Sequence, residues 1–327
     1  MPLTYNGNDS AAVTYNGNPV SEVTYNGVTV WQAAGSSASE FDFTLDSSHL
    51  TLDLYLTQSA ANAVTVDWGD NSATESPSST SASLTHTYSA AGNYTVSITC
   101  ESGESWYPGM HINYGQSEDD FTFCGVADDA THYSTLTAIR SGNGMTLGGT
   151  YCFEYFDALT TANLSKVTGA IALNAFSHCT SLTSVTLGNG ITSLGQGSFW
   201  SCSSLASIIL PPAVTDIGAN TFQSGGLTAI VIPDSVLAIG DNAFRSISAL
   251  LSADIGTGIT SIGAYGFGSC NHLDSITCRA TTPPTLGSNA FRSVPATCPI
   301  YVPSASVATY QAASGWSTRA AYIQAIP

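Results

Sequence analysis

The chain has 327 residues and carries 6 Lys+Arg against 23 Asp+Glu, a formal net charge of −17, although only 9% of its residues are charged. Soluble domains average roughly 25% charged residues, so Ser, Thr, Asn and Gly must cover most of this surface. Lys166 is the one lysine, which excludes nucleic-acid binding by clustered cations and attraction to anionic lipid. Hydrophobic residues make up 43%, too many for a disordered chain, and the length suggests about two or three domains. No run reaches the ~20 apolar residues of a membrane span, so no membrane insertion is expected. Met1-Pro2-Leu3-Thr4-Tyr5-Asn6-Gly7 lacks the basic and apolar regions of a signal peptide. Eight cysteines without a Cys-x-x-Cys pair are too sparse for a disulfide scaffold. The chain reads as made in cytoplasm and not exported by the general route.

Residues 1–34 form a leader built on a ten-residue repeat: Thr4-Tyr5-Asn6-Gly7, Thr14-Tyr15-Asn16-Gly17 and Thr24-Tyr25-Asn26-Gly27. Asn-Gly between strand formers is a strong hairpin signal, because a type I′ turn needs positive φ at both central residues. Val23 to Trp31 reads as one such hairpin. A segment this short cannot build its own core and must pack on a neighbour or dock on a partner. The threefold repeat favours docking, with Tyr5, Tyr15, Tyr25 and Trp31 as the contact residues.

Residues 35–103 alternate apolar and polar in Leu50–Leu56, Ala63–Trp68 and Tyr94–Ile98, the period of half-buried strands. A two-sheet β-sandwich follows. Val64-Thr65-Val66-Asp67-Trp68-Gly69-Asp70, then His86-Thr87-Tyr88 and Gly92-Asn93-Tyr94-Thr95-Val96, resemble a PKD-type immunoglobulin-like domain. Asn71 departs from that pattern, where the family usually has Gly. The resemblance implies that Trp68 is core and that Asp67, Asp70 and His86 fix turns.

The third region, residues 104–282, is a solenoid. Phe153, Phe176, Phe199, Phe222, Phe244, Phe267 and Phe291 are spaced by 23, 23, 23, 22, 23 and 24 residues, a leucine-rich-repeat period. Leu159, Leu182, Leu205, Leu250 and Leu273 follow most of these Phe by six residues. Apolar pairs such as Val185/Leu187, Ile208/Leu210, Ile230/Ile232 and Ile276/Cys278 then mark one short strand per coil. Apolar-Gly pairs (Leu194-Gly195, Ile217-Gly218, Ile239-Gly240, Ile262-Gly263, Leu286-Gly287) precede the next Phe. The short coil loses its residue in Ser224-Gly225-Gly226, and the long one gains its residue beside Pro283-Pro284, both away from core positions. Ser198-Phe199-Trp200-Ser201-Cys202-Ser203-Ser204-Leu205 and Gly266-Phe267-Gly268-Ser269-Cys270-Asn271-His272-Leu273 resemble the BspA-like class of leucine-rich repeats. Residues 283–327 are similar to that class's closing segment, with Trp316 expected over the final coil because a solenoid must cover its ends. The fold class is therefore mainly β: hairpin leader, immunoglobulin-like sandwich, and capped leucine-rich-repeat solenoid.

Chemistry is mostly absent from the sequence. Gly142-Asn143-Gly144 and Gly256-Thr257-Gly258 lack phosphate-loop spacing and read as repeat turns. There is no Gly-x-Ser-x-Gly or His-Glu-x-x-His, and no acid pair is singled out for glycoside hydrolysis. Cys179, Cys202 and Cys270 share one coil position and read as core thiols. Glu118-Asp119-Asp120 and Asp128-Asp129 read as a solvated acidic rim rather than a calcium site. No catalytic residue, metal or cofactor is expected. Trp106 and Tyr107, beside Met110 and His111, are interface-type residues; they either wedge the two domains together or anchor a partner. Trp200, next to a buried Phe, is expected to project from a coil turn. Thr183, Thr186, Ile209, Val231, Asp254 and Thr277 are outward strand positions fit for binding.

The BspA-like resemblance implies binding rather than catalysis, since such repeats occur in bacterial surface adhesins, gut-bacterial secreted proteins and phage virion proteins. The expected function is a non-enzymatic adhesion protein on a phage virion. Its leader would dock on virion proteins, the sandwich would act as spacer, and the solenoid would face a host-surface glycan or protein. The alternative is a bacterial surface or secreted adhesin. Homo-oligomerisation stays open, as no coiled-coil heptad is present to enforce it.

Overall fold

The computed structural model describes residues 38–45, 47, 50–108 and 136–327. Of the short strands Thr14–Tyr15, Asn18–Pro19, Glu22–Tyr25, Val28–Gln32 and Cys124–Gly125, and of Asp53 and Tyr107, it describes the backbone. In the leader, Thr14–Tyr15 pairs antiparallel with Asn18–Pro19, on either side of Asn16-Gly17. Glu22–Tyr25 pairs antiparallel with Val28–Gln32, setting Tyr25 opposite Val28 and Val23 opposite Trp31. The second and third Asn-Gly units thus join paired strands as their sequence predicts. The first unit, with Tyr5, lies outside the described residues, as does the acidic 118–120 and 128–129 stretch.

The sandwich has Ala38–Leu45, Gly92–Cys100 and Val64–Asp67 in one antiparallel sheet and Thr51–Gln58 paired with Ser81–Thr87 in the other. Alternate residues turn inward with the period-two geometry of strands: Phe41, Phe43 and Leu45, Leu52, Leu54 and Leu56, Val64 and Val66, Val96 and Ile98 are all buried. Trp68 is buried among them and its indole N–H donates to Glu75 at 2.8 Å. His86 stacks on Trp68 with centroids 4.8 Å apart and meets Asp70 at 2.8 Å. Asp67 accepts the Gly69 N–H and Asp70 the Ser72 N–H, so the three polar residues do hold the turn. Asn71 has φ 66°, a left-handed conformation that Asn tolerates better than most side chains.

Two further strands of the sandwich come from beyond residue 103. Trp106–Pro108 and Cys124–Gly125 pair antiparallel with Thr51–Gln58. More consequential is Leu136–Arg140, which pairs antiparallel with Ala38–Leu45 and parallel with Thr161–Leu164. One sheet of six strands therefore runs from the sandwich into the solenoid without a break. The seam is tight. Gly142 donates its N–H to the buried Ser39 hydroxyl at 2.9 Å. Arg140 donates to Glu40 through Nε and to both oxygens of Asp42 through Nη1 and Nη2, each at 2.7 Å, a bidentate, charge-assisted contact. Gly142 and Gly144 belong to this seam rather than to a repeat turn: a Cβ on Gly144 would lie 2.7 Å from the Cys100 sulfur.

Each solenoid coil carries two short strands, not the single one read from the sequence. The first set runs through Thr161–Leu164, Ser184–Leu187, Ala229–Ile232, Ser252–Ile255, Ser275–Cys278 and Ile300–Val302. The second set is Gly169–Ile171, Ile191–Leu194, Asp216–Ile217, Ala238–Ile239, Ser261–Ile262 and Thr285–Leu286, all parallel. The coil at 205–210 is the exception, with no assigned strand. Elsewhere the residue after the strand donates to the preceding coil, as Gly256 does to Ile232 and Arg279 to Ile255. Pro211 and Pro233 have no N–H to give, so this coil lacks that bond on each side, while Thr228 still donates to Ala206.

Between the sheets the Phe rings stack coil on coil. Centroids of Phe153, Phe176, Phe199, Phe222, Phe244, Phe267 and Phe291 lie 5.0–6.0 Å apart. Phe41 of the sandwich continues this spine at 6.3 Å and Trp316 of the C-terminal cap closes it at 5.4 Å. Beside it the Cys179, Cys202 and Cys270 thiols each donate to the Phe carbonyl of the preceding coil at 3.0–3.1 Å. The glycines of the apolar-Gly pairs have their own reason: a Cβ on Gly240 or Gly263 would sit 2.5 Å from a backbone nitrogen of the coil before it. At the far end Trp316 donates to the Pro284 carbonyl, Tyr310 to that of Ala280, and Arg319 to those of Pro295, Phe291 and Val294. Ile323–Ala325 adds a last parallel strand beside Ile300–Val302.

Candidate functional site

The strand pleat turns Thr186, Val231, Asp254 and Thr277 to the outside of the first sheet, and Ile209 holds the equivalent repeat position in the coil without an assigned strand. The register pairs Asn163 with Thr186, and runs Val231, Asp254, Thr277 and Tyr301 side by side. Their neighbours Ile230, Ile232, Ile255, Ile276 and Cys278 point into the core. Ile209 is 86% exposed and Val231 64%, so two branched apolar side chains stand out from a row of polar ones. Asp254 is held by the Arg279 guanidinium through both carboxylate oxygens. Thr183 lies just before its strand, and its hydroxyl donates to the Thr160 carbonyl at 3.0 Å. It is one rung of a threonine ladder that also includes Thr160 to Thr137 and Thr228 to Ala206, so its hydroxyl is committed within the fold.

Trp106 does not belong to a contact surface. It is 0% exposed, with its ring edge-on to Phe41 at 6.1 Å, and its backbone bonds to Gly144 and Thr146. Of the two readings open for it in the sequence, the wedge between sandwich and solenoid is the correct one. Tyr107 pairs through its backbone with Thr57. Tyr15, Tyr25 and Trp31 lie on the leader strands described above.

Trp200 is half-buried and is not alone. Its ring lies 5.0 Å from His178, which stacks on Tyr155 at 4.5 Å. Tyr155 and His178 occupy the slot two residues after the Phe, where later coils carry Ser201, Ser224, Ser246, Ser269 and Ser293, and all seven have φ between 55° and 63°. Bulky side chains are costly in that conformation, so this aromatic row is a departure from the repeat's own rule. Sequence reading missed it, although aligning the seven coils on their Phe would have shown it. Partial burial pushes the His178 imidazole below its ordinary value, favouring the neutral ring.

Among the described residues no group of three or more His, Cys, Asp and Glu side chains is placed to hold a metal. Burial pushes the Cys202 and Cys270 thiols up to about 12, which makes them poor nucleophiles at neutral pH. What the surface offers is a row of mostly uncharged strand side chains, with Asp254 paired to Arg279, and a short aromatic ridge.

Stacked coils of 22–24 residues around a Phe spine, with two narrow parallel sheets, define a leucine-rich-repeat solenoid. Residues 126–251 and 215–313 match the BspA type leucine rich repeat region in six copies. That match spans more than half of the chain, and the protein belongs to this family. Three solved structures are similar to it. The leucine-rich repeat protein of T. pallidum is 28% identical, covering 46% of this chain and 71% of that one, with a TM-score of 0.41. A leucine-rich repeat protein from Bacteroides ovatus is 19% identical over 54% of this chain and 52% of that one, TM-score 0.39. A leucine rich cell surface protein from Faecalibacterium prausnitzii is 20% identical over 59% and 76%, TM-score 0.33. No relative was found among curated proteins.

Proposed function

We propose that this protein is a non-enzymatic adhesion protein of a phage particle, whose solenoid binds a glycan or protein of the host surface. The observation that carries the binding reading is the outward strand row, where Ile209 and Val231 are exposed on successive coils between Thr186 and Asp254. Two neighbouring exposed apolar side chains among polar ones offer a partner an apolar contact. The virion reading draws support from the thiols: Cys100, Cys152, Cys179, Cys202, Cys270, Cys278 and Cys298 are all buried and unpaired. Unpaired thiols suit folding in a reducing cytoplasm, where a phage assembles. The paired leader strands are of a size to dock on a virion protein. In this reading the PKD-type sandwich closes the first coil of the solenoid, through the shared sheet, instead of hanging as a spacer.

Density-gradient fractionation of producing cultures tests where the chain belongs. Co-migration with viral particles, abolished by deleting residues 1–34, is the expected result; recovery with cell envelopes would replace the virion reading by a bacterial surface adhesin. Labelled protein should bind host cells, and the double substitution I209D/V231D should abolish that binding with the fold intact. Unchanged binding by that variant would move the contact surface elsewhere.

A further inference from the structure

The positive charge of this chain is unevenly placed. It has 6 Lys+Arg in 327 residues, and Arg245, Arg292 and Arg319 gather at the C-terminal end of the solenoid. Arg245 and Arg292 lie against the ring of Tyr265, at 4.9 and 6.0 Å from its centroid. Arg292 and Arg319 both line a hollow of about 590 Å³ between the last coil and the cap, within the range of small-molecule sites. Leu286 and Phe291 give it an apolar wall, Ser288 and Tyr322 contribute hydroxyl-bearing side chains, and no Asp or Glu lines it.

The two guanidiniums have no carboxylate partner among the described residues. Arg140 and Arg279 both pair with acids. Arg319 instead donates to three carbonyls of the last coil, and Arg292 makes one long contact, 3.3 Å, to the Tyr265 hydroxyl. Arg292 is exposed and its planar fork matches a carboxylate. In a protein of net charge −17, a concave cationic spot with no carboxylate partner among the described residues is a place where an anion gains. The hydroxyls beside it suit a ligand that itself carries hydroxyls.

We infer that this hollow binds a carboxylated sugar residue, with Arg292 taking the carboxylate and Ser288 and Tyr322 meeting ring hydroxyls. The site shares no residue with the outward strand row, and its test is independent of where the chain is displayed. Titrate the full chain, by ligand-observed NMR, with methyl glucuronide, N-acetylneuraminic acid, methyl glucoside and inorganic phosphate. The two acidic sugars should bind and the glucoside, which carries a hydroxymethyl group where the glucuronide has its carboxylate, should not. Arg292→Gln should weaken binding about tenfold, as expected for loss of one charge-assisted pair. Ala296→Trp, which fills the hollow from its exposed rim and leaves both guanidiniums, should abolish it. Circular dichroism and melting of both variants should match the parent. Equal binding of glucoside, phosphate binding as strong as the sugars, no effect of either variant, or no binding up to roughly 10 mM would each overturn the assignment.

Discussion

Substituting Gly142 by Ala tests whether sandwich and solenoid are one folded body. A Cβ at this position would lie 2.1 Å from the Ala38 carbonyl carbon and 2.4 Å from the Ser39 nitrogen, where ordinary contact begins at 3.4 Å. Both opposing atoms are backbone, so the loop must back away by about an ångström, as in an overpacked core costing about 1–3 kcal/mol. That movement also breaks the bond from Gly142 N–H to Ser39. The Ser39 hydroxyl is fully buried, and stranding it adds about 1–3 kcal/mol. A total of about 2–6 kcal/mol is a large share of the roughly 5–15 kcal/mol that holds a domain folded. Urea unfolding would be followed by tryptophan fluorescence and far-UV circular dichroism. The parent should unfold in one coincident transition; Gly142→Ala should lower the midpoint and split the two signals. Gly103→Ala is the control, because Gly103 has φ 90° but nothing within 4 Å of a new Cβ, and only about 1 kcal/mol of backbone strain applies. A parent that already unfolds in two steps, or a Gly142 variant within about 0.5 kcal/mol of it, would refute the continuous-sheet argument.

Other expectations concern the ends, the core and the turn. Trp316→Ala should cost about 3–5 kcal/mol, since it uncovers Phe291 and removes the bond to Pro284; the melting temperature and C-terminal proteolysis report it. Cys152, Cys202 and Cys270, with thiols pushed up to about 12 by burial, should resist a thiol reagent at pH 8 until the protein is unfolded; rapid native labelling at those three positions, mapped by peptide mass spectrometry, would contradict the core ladder. Hydrogen bonds from Ser72 and His86 hold the Asp70 carboxyl down at about 2 against an ordinary 3.8. A lowered folded value means stability that is present above pH 3.8 and lost as pH falls toward 2, so Asp70→Asn should flatten the urea midpoint over that interval and be the less stable of the two proteins at neutral pH. Gly263→Ala should destabilise more than Gly103→Ala, because its Cβ would meet the backbone of the preceding coil at 2.5 Å; equal urea midpoints would count against close coil stacking there.

The solenoid was legible because a repeat multiplies one weak signal. A Phe every 22–24 residues, followed by Leu and Cys at fixed offsets, can be buried only by stacking, and the rings, thiols and glycines take the places that this periodicity implies. The outward orientation of Ile209, Val231 and Thr277 followed from the same alternation, whereas the turn held by Asp67, Asp70 and His86 was expected only from the resemblance of its motif. The second strand of each coil was harder to read, since two-residue strands such as Asp216–Ile217 have no period of their own and exist only through pairing with the coils beside them.

What the chain order could not reveal is what meets across long separations. Leu136–Arg140 is an ordinary short apolar run until it pairs with Ala38–Leu45, nearly a hundred residues earlier. Arg140 finds Asp42 and Gly142 finds Ser39 across that pairing, and Trp106 is held against Phe41 by its own strand's pairing with Thr51–Gln58. Arg292 and Arg319 share a hollow because the cap folds back over the last coil. Local composition determined which residues each coil buries; only closure of the two ends decided that a sandwich seals one end of the Phe spine and a tryptophan the other, since an open end of a stacked core must be covered by whatever apolar surface the chain brings to it.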